Sequence, residues 1–135
     1  EVGTLKLTGD SVSRSGSSYV FSTTLPISNG TTTLISIPLT MGATIGTILI
    51  FANVYLKLQV GAASDIEVYQ DATLLRSHGS NDTGVGTLAF NSVSVATTHA
   101  ASTTKTYTLK IKQTQATDPA VVALHAEMSI LGVMK

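Results

Sequence analysis

The residues from 45 to 60, which read IGTILIFANVYLKLQV, restrict the possible folds of this chain more than any other stretch. At the two-residue period of a β-strand, one face consists only of apolar residues: Ile48, Ile50, Ala52, Val54, Leu56 and Leu58. The opposite face begins with Leu49 and Phe51 and becomes polar only towards Lys57. A strand that is half-buried in a monomer alternates throughout. We therefore expect this strand to pack on both faces, against the core on one side and another copy of the chain on the other.

Hydroxyl groups rather than charges provide the polar side chains of this protein. Only 12% of its 135 residues are charged, the formal net charge is zero, and Ser and Thr are abundant. Because Thr is β-branched and suits exposed strand positions, the composition favours a mostly β protein. Phosphate binding needs clustered Lys and Arg, so nucleic acid is not an expected partner. The longest apolar run is too short and too interrupted for a spanning helix, so membrane insertion is not expected.

Turn signals divide the chain into short strand-like segments, and no helix-period segment is long enough to predict a helix. This pattern predicts an all-β, two-sheet antiparallel jelly-roll sandwich of about eight to nine strands. An immunoglobulin-like sandwich is the alternative fold. Residues 1–135 are expected to form one domain. Within it, residues 1–18 comprise a short N-terminal strand and a Ser-rich loop that can serve as a docking arm.

Several turns and irregularities are predicted locally. Asn29 and Gly30 tolerate positive φ, which predicts a hairpin between strands at 19–25 and 33–39. Pro38 cannot donate to a ladder, so it should lie on an edge strand or near a strand end. A second hairpin is expected where DIEVYQ turns into LLR at residues 71–72, followed by a loop over residues 77–86.

The strand from Thr87 to Ala96 shows a break in its alternation. Leu88 and Phe90 have one parity, whereas Val93 and Val95 have the other. A β-bulge near residues 91–92 would turn both pairs inward, and we predict one there.

The final strands complete the pattern. Residues 105–113, KTYTLKIKQ, should place Tyr107, Leu109 and Ile111 inward. The strand over residues 121–134 should direct Val122, Leu124, Ala126, Met128 and Ile130 inward. Its outward positions begin with His125 and Glu127 and end with Leu131 and Val133, so this strand, like the one at 45–60, is apolar on both faces at one end.

The sequence offers few groups for catalysis, and no enzyme activity, cofactor or metal is expected. His78 and His99 fall in predicted loops, where a solvated His is the usual outcome, and no pair of His residues has metal-site spacing. Asp65, Glu67 and Asp71 lack the spacing of known calcium loops. His125 and Glu127 are neighbours on one strand face. They are interpreted as a polar patch, with a pH-sensitive or ion-holding site as the alternative.

The predicted loop after the second hairpin is the candidate ligand site. His78, Ser80, Asn81 and Asp82 follow one another in a polar, Gly-containing segment of the kind that binds sugars at the tips of β-sandwiches. An ordinary hairpin loop has the same composition. Exposed aromatic residues, on which sugars stack, are scarce, because Phe, Tyr and Trp make up only 5% of the chain.

The segments TYTLKIKQ and HAEMSILGVMK resemble the closing strands of many bacteriophage virion proteins. The segments TILIFANVYLKL and DIEVYQDATLLRS are similar to the jelly-roll head domains of tail fibres, head fibres and capsid decoration proteins, and more remotely to trimeric C1q/TNF-like heads. The resemblance covers residues 45–135. It implies a homotrimer whose subunits meet through the outward apolar residues of one sheet.

The combined expectation is a non-enzymatic structural protein on the surface of a phage particle, either a trimeric capsid decoration protein or a fibre head. Its partners would be a capsid or fibre-shaft protein, with a host glycan as a further ligand. A carbohydrate-binding module or receptor-binding domain for a cell-surface glycan is the alternative, and a bacterial surface or pilus-like subunit is a third. The expected oligomer interface comprises Leu49, Phe51, Tyr55, His125, Glu127, Leu131 and Val133.

Overall fold

The structure is a computed structural model that describes residues 14–27, 30–58, 63–81, 87–113 and 121–134. Predicted features in residues 1–13, including most of the N-terminal docking arm, lie outside this part of the chain. The described residues form eight strands, and residues 14–18 of the predicted Ser-rich loop belong to the first of them. The strands are β1 (Arg14–Ile27), β2 (Gly30–Thr40), β3 (Gly46–Leu58), β4 (Ala63–Gln70), β5 (Thr73–Asn81), β6 (Thr87–His99), β7 (Thr104–Gln113) and β8 (Val121–Met134).

These strands form two four-stranded antiparallel sheets. Sheet 1 has the order β1-β8-β3-β6, and sheet 2 has the order β2-β7-β4-β5. The pairing is nested, because β1 pairs with β8, β2 with β7, β3 with β6 and β4 with β5. The β3–β8 and β4–β7 pairs then join these ladders into the two sheets. The prediction of an all-β fold with two antiparallel sheets is confirmed.

The core lies between the sheets and follows the strand alternation predicted for β3 and β7. Ile48, Ile50, Val54 and Leu56 of β3 have no exposed surface. Tyr107, Leu109 and Ile111 of β7 are equally buried. On β8, Ala126, Met128 and Ile130 face the same core. β3 lies between β8 and β6, so both of its edges are paired. Its inner face packs against sheet 2 in the core.

The predicted hairpin at Asn29-Gly30 is wrong, because β1 and β2 lie in different sheets. The chain crosses from sheet 1 to sheet 2 between Ile27 and Gly30, and Gly30 has the positive φ, 106°, that the turn prediction required. A turn residue shows where the chain can reverse, but both a hairpin and a sheet crossover need such a reversal. Pro38 lies on β2, an edge strand of sheet 2, as its missing N–H predicted.

The second predicted hairpin is confirmed, but the loop after it is shorter than expected. β4 and β5 pair antiparallel around a turn in which Asp71 has φ of 50°. Residues 77–81, predicted as loop, instead continue β5, with His78 opposite Ile66 and Asn81 opposite Ala63. A polar strand is stable here because the ladder to β4 supplies its backbone hydrogen bonds, whatever the side chains are. The rest of the predicted loop, residues 82–86, lies outside the described part.

The bulge predicted near residues 91–92 is wrong. β6 pairs with β3 without a break from Thr87 opposite Leu58 to His99 opposite Gly46. The register places Val93 inward and leaves Leu88 and Phe90 exposed on the other face. The expectation failed because it assumed that large apolar side chains face the core. A register irregularity instead occurs in β8, where Tyr55 pairs with His125 and the next residue, Leu56, pairs with Ala123.

Candidate functional site

The outer face of sheet 1 carries an upper apolar patch formed by Leu49, Phe51 and Leu131. Leu49 of β3 lies opposite Leu131 of β8, so the two side chains are cross-strand neighbours. Phe51 lies two residues further along β3 and is 51% exposed, and Leu131 is 37% exposed. The register thus brings together three of the residues predicted for an oligomer interface.

A lower apolar patch on the same face is formed by Tyr55, Phe90 and Leu88. Tyr55 pairs with Phe90 of β6, and Leu88 lies two residues before Phe90 on the same strand. Phe90 is 64% exposed and Leu88 is 56% exposed, the largest exposed fractions among the large apolar side chains that the structure describes. Neither residue was among the predicted interface residues, because the predicted bulge would have turned both inward. Their parity, opposite to that of Val93, was the signal that could have identified them.

A polar row separates the two patches and is connected by hydrogen bonds. The Ser92 hydroxyl donates to Asn53 Oδ1 at 2.6 Å, and Asn53 Nδ2 donates to Glu127 Oε1 at 2.7 Å. His125 Nε2 lies 3.5 Å from Glu127 Oε2. The hydrogen bond from Asn53, together with His125, lowers the pKa of Glu127 below its usual range. The row is therefore anionic at neutral pH and orients its own members, and it contains no nucleophile next to a base.

The remaining predicted interface residues are placed as follows. Glu127 and His125 lie in or beside the polar row on the outer face of sheet 1. Val133 pairs with Thr47 through its backbone, and its side chain lies outside the described part. Apart from Val133, the predicted interface residues therefore share one continuous sheet face.

The residues predicted as a ligand loop do not form a loop tip. His78 is exposed on β5, while Ser80 and Asn81 pair with β4 through their backbones, and Asp82 lies outside the described residues. His78 instead lines a groove of about 330 Å³ between the edge strands β5 and β6. The other lining residues of this seam groove are Arg76, Ser77, Ser92, Val93 and Ser94.

The acidic residues of sheet 2 are held separately by other side chains. Glu67 Oε2 accepts a hydrogen bond of 2.8 Å from the Tyr69 hydroxyl, which raises the pKa of Tyr69. Asp71 Oδ1 accepts from the Thr106 backbone N–H, and its Oδ2 lies 3.1 Å from Lys105 Nζ. Both contacts lower the pKa of Asp71, the backbone hydrogen bond most strongly. Across the described ranges, no three His, Asp or Glu side chains converge in a way that could hold a metal ion.

His99 is buried, contrary to the prediction that it would be solvated in a loop. Its Nε2 lies 3.0 Å from the Thr103 carbonyl oxygen, which can only accept, so Nε2 carries the proton. Its Nδ1 therefore accepts from the Tyr107 hydroxyl at 3.0 Å, and that hydroxyl accepts from Gln70 Nε2 at 2.9 Å. Every member of this chain of hydrogen bonds has a partner. The network joins the end of β4 to the β6–β7 turn and serves as a structural element.

Comparisons with known proteins identify the fold. No protein-family model matches the sequence, and no curated protein matches it. A structure of the infectious bursal disease virus Gx strain matches with a TM-score of 0.53 and 13% identity, covering 98% of this chain and 37% of the viral chain. The T13 particle of infectious bursal disease virus matches with a TM-score of 0.51 and 14% identity, covering 94% and 32% respectively.

A bacterial protein gives a weaker match. Dimeric latent PorU from Porphyromonas gingivalis matches with a TM-score of 0.49 and 12% identity, covering 95% of this chain and 14% of its own length. The chain therefore spans less than two-fifths of each of these proteins. No helix in the described ranges is long and apolar enough to cross a membrane. At these identities, the chain shares an all-β fold with a viral particle protein.

Proposed function

We propose that this chain is a non-enzymatic structural protein of a viral particle and that it assembles as a homotrimer through the outer face of sheet 1. The observation that supports this proposal is the exposure of Phe51, Phe90, Leu88 and Leu131 on one sheet face. Large clustered apolar side chains on a surface are typical of protein interfaces. Closed symmetry would cover them without open-ended association.

The polar row is compatible with burial in such an interface. Asn53 uses both its oxygen and its amide nitrogen within the row, and Ser92 donates its hydroxyl proton to it. Buried polar groups that already have hydrogen-bond partners cost much less than groups without them. The row would therefore set the register between subunits, while the upper and lower patches supply most of the favourable free energy.

The strength of this interface can be estimated from the apolar surface of these four side chains that is still exposed in the monomer. Full burial of a large apolar side chain contributes about 1.5–3 kcal/mol. Since the four exposed side chains are 37% to 64% exposed, about half of that remains, or about 3–6 kcal/mol per subunit. Association costs about 4–15 kcal/mol. Summed over three subunits, the apolar contribution is about 9–18 kcal/mol, comparable to this cost. Trimers in solution would therefore be weak, and attachment to a particle surface would strengthen them by raising the effective concentration.

Two further observations support a virion role. The nested strand order of sheets 1 and 2 corresponds to a jelly roll, an architecture that recurs in viral capsid proteins. The fold shared with infectious bursal disease virus supports a virion protein, without favouring a phage over another virus. Of the two virion roles, capsid decoration fits a weak trimer better than a free-standing fibre head does. On the particle, the protein would lie on the outer surface and add contacts between capsid subunits.

The trimer is tested by measuring the molar mass of the protein in solution, using light scattering coupled to size-exclusion chromatography. At about 100 µM we expect the mass of a trimer, and Phe51→Ser or Phe90→Ser should shift it to the monomer, since each change removes apolar area from the interface. Leu74→Ser is the matched control, because Leu74 is 47% exposed on β5 of sheet 2. A monomeric parent at this concentration would contradict the proposed trimer.

The decoration role is tested by adding the protein to expanded capsids and measuring how much of it binds. Saturable binding of the parent protein, lost in Phe51→Ser and kept in Leu74→Ser, would support it. A parent protein that assembles into trimers but does not bind to capsids would favour the fibre head.

A further inference from the structure

The seam groove lies where the two sheets leave the sandwich open at one side. β5 is the edge strand of sheet 2, and β6 is the edge strand of sheet 1. Arg76 and His78 lie opposite Val68 and Ile66 of β4, both buried, so they belong to the inner face of sheet 2. At an edge strand this face is not fully covered, and both side chains are exposed beside β6.

Arg76 is held over the groove by a single described hydrogen bond. Its Nη1 donates to the Ser94 carbonyl oxygen at 3.1 Å. A guanidinium group has five N–H donors in one plane, so this bond restrains the group and leaves further donors available to a ligand. Ser77, Ser92, Ser94 and His78 line the rest of the polar part of the groove, and the Ser92 hydroxyl also donates to Asn53.

The described lining of the groove holds one fixed positive charge, that of Arg76. None of the lining residues is acidic. Glu67, the nearest carboxylate in the β4–β5 ladder, pairs with Ser77 and lies, like Asp65 opposite Gly79, on the outer face of sheet 2. Glu67 Oε2 accepts from the Tyr69 hydroxyl. A guanidinium that no described carboxylate pairs with directly attracts an anion of one negative charge.

The geometry points to a binding site for a carboxylate-bearing saccharide in the seam groove. The planar guanidinium of Arg76 would bind the carboxylate through two parallel hydrogen bonds. The serine hydroxyls and His78 would bind the hydroxyl groups of the sugar ring. The volume of about 330 Å³ suits one sugar ring and is at the lower end of the range for ligand pockets.

The composition of the groove argues for this ligand over other anions. Phosphate groups and nucleic acids require clustered cations, and Arg76 is the only Lys or Arg in the described lining. A peptide strand added to the edge of β6 would need its outward carbonyl groups, and that of Ser94 already accepts from Arg76. This site goes beyond the proposed assembly function because it binds a small anion, but it adjoins the assembly face: Ser92 belongs to the polar row, and Arg76 also lines a cavity with Leu49 and Phe51.

Titration of the labelled protein with methyl glucuronide, N-acetylneuraminic acid and methyl glucoside, followed by NMR, tests the proposal. We expect shifts at residues 76–78 and 92–94 with the two acidic sugars and not with the neutral glucoside. Arg76→Ala should weaken binding about tenfold or more, because a charge-assisted contact is lost, and Arg76→Lys should retain part of it. Lys112→Ala, which removes an exposed cation on sheet 2, is the matched control and should bind as the parent does.

Several outcomes would overturn the site. Equal binding of methyl glucoside would show that charge does not determine recognition, and unchanged binding in Arg76→Ala would exclude the guanidinium as the anchor. If neither acidic sugar binds at millimolar concentration, the proposed site is refuted as well. If Arg76→Ala does not fold, the exposed variants Ser77→Ala and His78→Ala replace it, and each should weaken binding severalfold. The mass of the oligomer, measured in parallel, shows whether a loss of saccharide binding is accompanied by a loss of the trimer, so failure of the two proposals can be told apart.

Discussion

At the scale of single residues, the polar side chains with the most partners stabilise the fold. Tyr107 and His99 have no exposed surface. The Tyr107 hydroxyl is the only described hydrogen-bond partner of His99 Nδ1. Burial raises the pKa of Tyr107, so its hydroxyl remains a donor throughout the physiological range. This contact joins side chains eight residues apart across the β6–β7 turn.

Tyr107→Phe should destabilise the protein by about 1–3 kcal/mol, because it leaves the buried Nδ1 of His99 without its donor. Urea unfolding followed by circular dichroism measures the change. Tyr55→Phe is the control, since it removes the same hydroxyl from a half-buried ring on the outer face of sheet 1. Equal stability of Tyr107→Phe and the parent would contradict the assigned hydrogen bond.

Glu127 should make stability depend on acid pH. Its folded pKa lies below the usual value of 4.5, so its carboxylate stabilises the fold above that pH. This contribution should be lost as the pH falls through the lowered folded value. At pH 7, Glu127→Gln should be less stable than the parent by less than about 1 kcal/mol, because the group is exposed. Urea unfolding between pH 3 and 7 should show the two proteins converging at the acid end, and a constant difference would refute the role of the charge.

At the scale of elements, side chains of sheet 2 cover part of the free edge of β6. Ser94 and Thr98 have the same parity, so their carbonyl groups point away from β3. The first accepts from Arg76 Nη1, and the second accepts from Gln70 Nε2 at 3.0 Å. Edge strands whose backbone groups are occupied are less prone to add a strand from another chain.

The β4–β5 turn provides a second element-scale prediction. Asp71 adopts φ of 50°, donates its N–H to the Thr106 carbonyl at 2.8 Å and accepts from the Thr106 N–H through its side chain. Asp71→Asn keeps an acceptor and tolerates this φ, whereas Asp71→Ala loses the acceptor and strains the backbone. Thermal unfolding should therefore rank the parent first, then Asp71→Asn, then Asp71→Ala. An Asp71→Ala melting temperature equal to that of Asp71→Asn would contradict this account of the turn.

At the scale of the whole molecule, the proposed assembly should respond to salt as an apolar interface does. Hydrophobic association is not screened by ions, unlike association between exposed charges. Sedimentation equilibrium between about 50 and 500 mM NaCl should give an unchanged or tighter trimer. In contrast, saccharide binding at Arg76 should weaken over the same range. A trimer that dissociates as salt rises would show that charge pairs, not the apolar patches, hold the subunits together.

Local alternation predicted the inner face of β3 and of β7 correctly, because successive side chains of a strand point to opposite faces. The same reasoning placed Leu49, Phe51 and Leu131 on the outer face of one sheet. It failed for Leu88 and Phe90, since parity alone does not say which face of a strand is covered. The seam groove was only partly predictable: His78 was proposed as a ligand residue, whereas Arg76 was not.

The alternating pattern of the sequence by itself determined that the chain is all-β and which residues of its clearest strands are buried. Only the tertiary structure decided how the strands are distributed between the sheets, because the nested pairs join segments as distant as β1 and β8. The Asn29-Gly30 signal was compatible with both a hairpin and a crossover, and the pairing of β2 with β7 selected the crossover. The same long-range pairing buried His99, exposed Phe90 and placed Arg76 over β6, since each depends on strands that are remote in the chain.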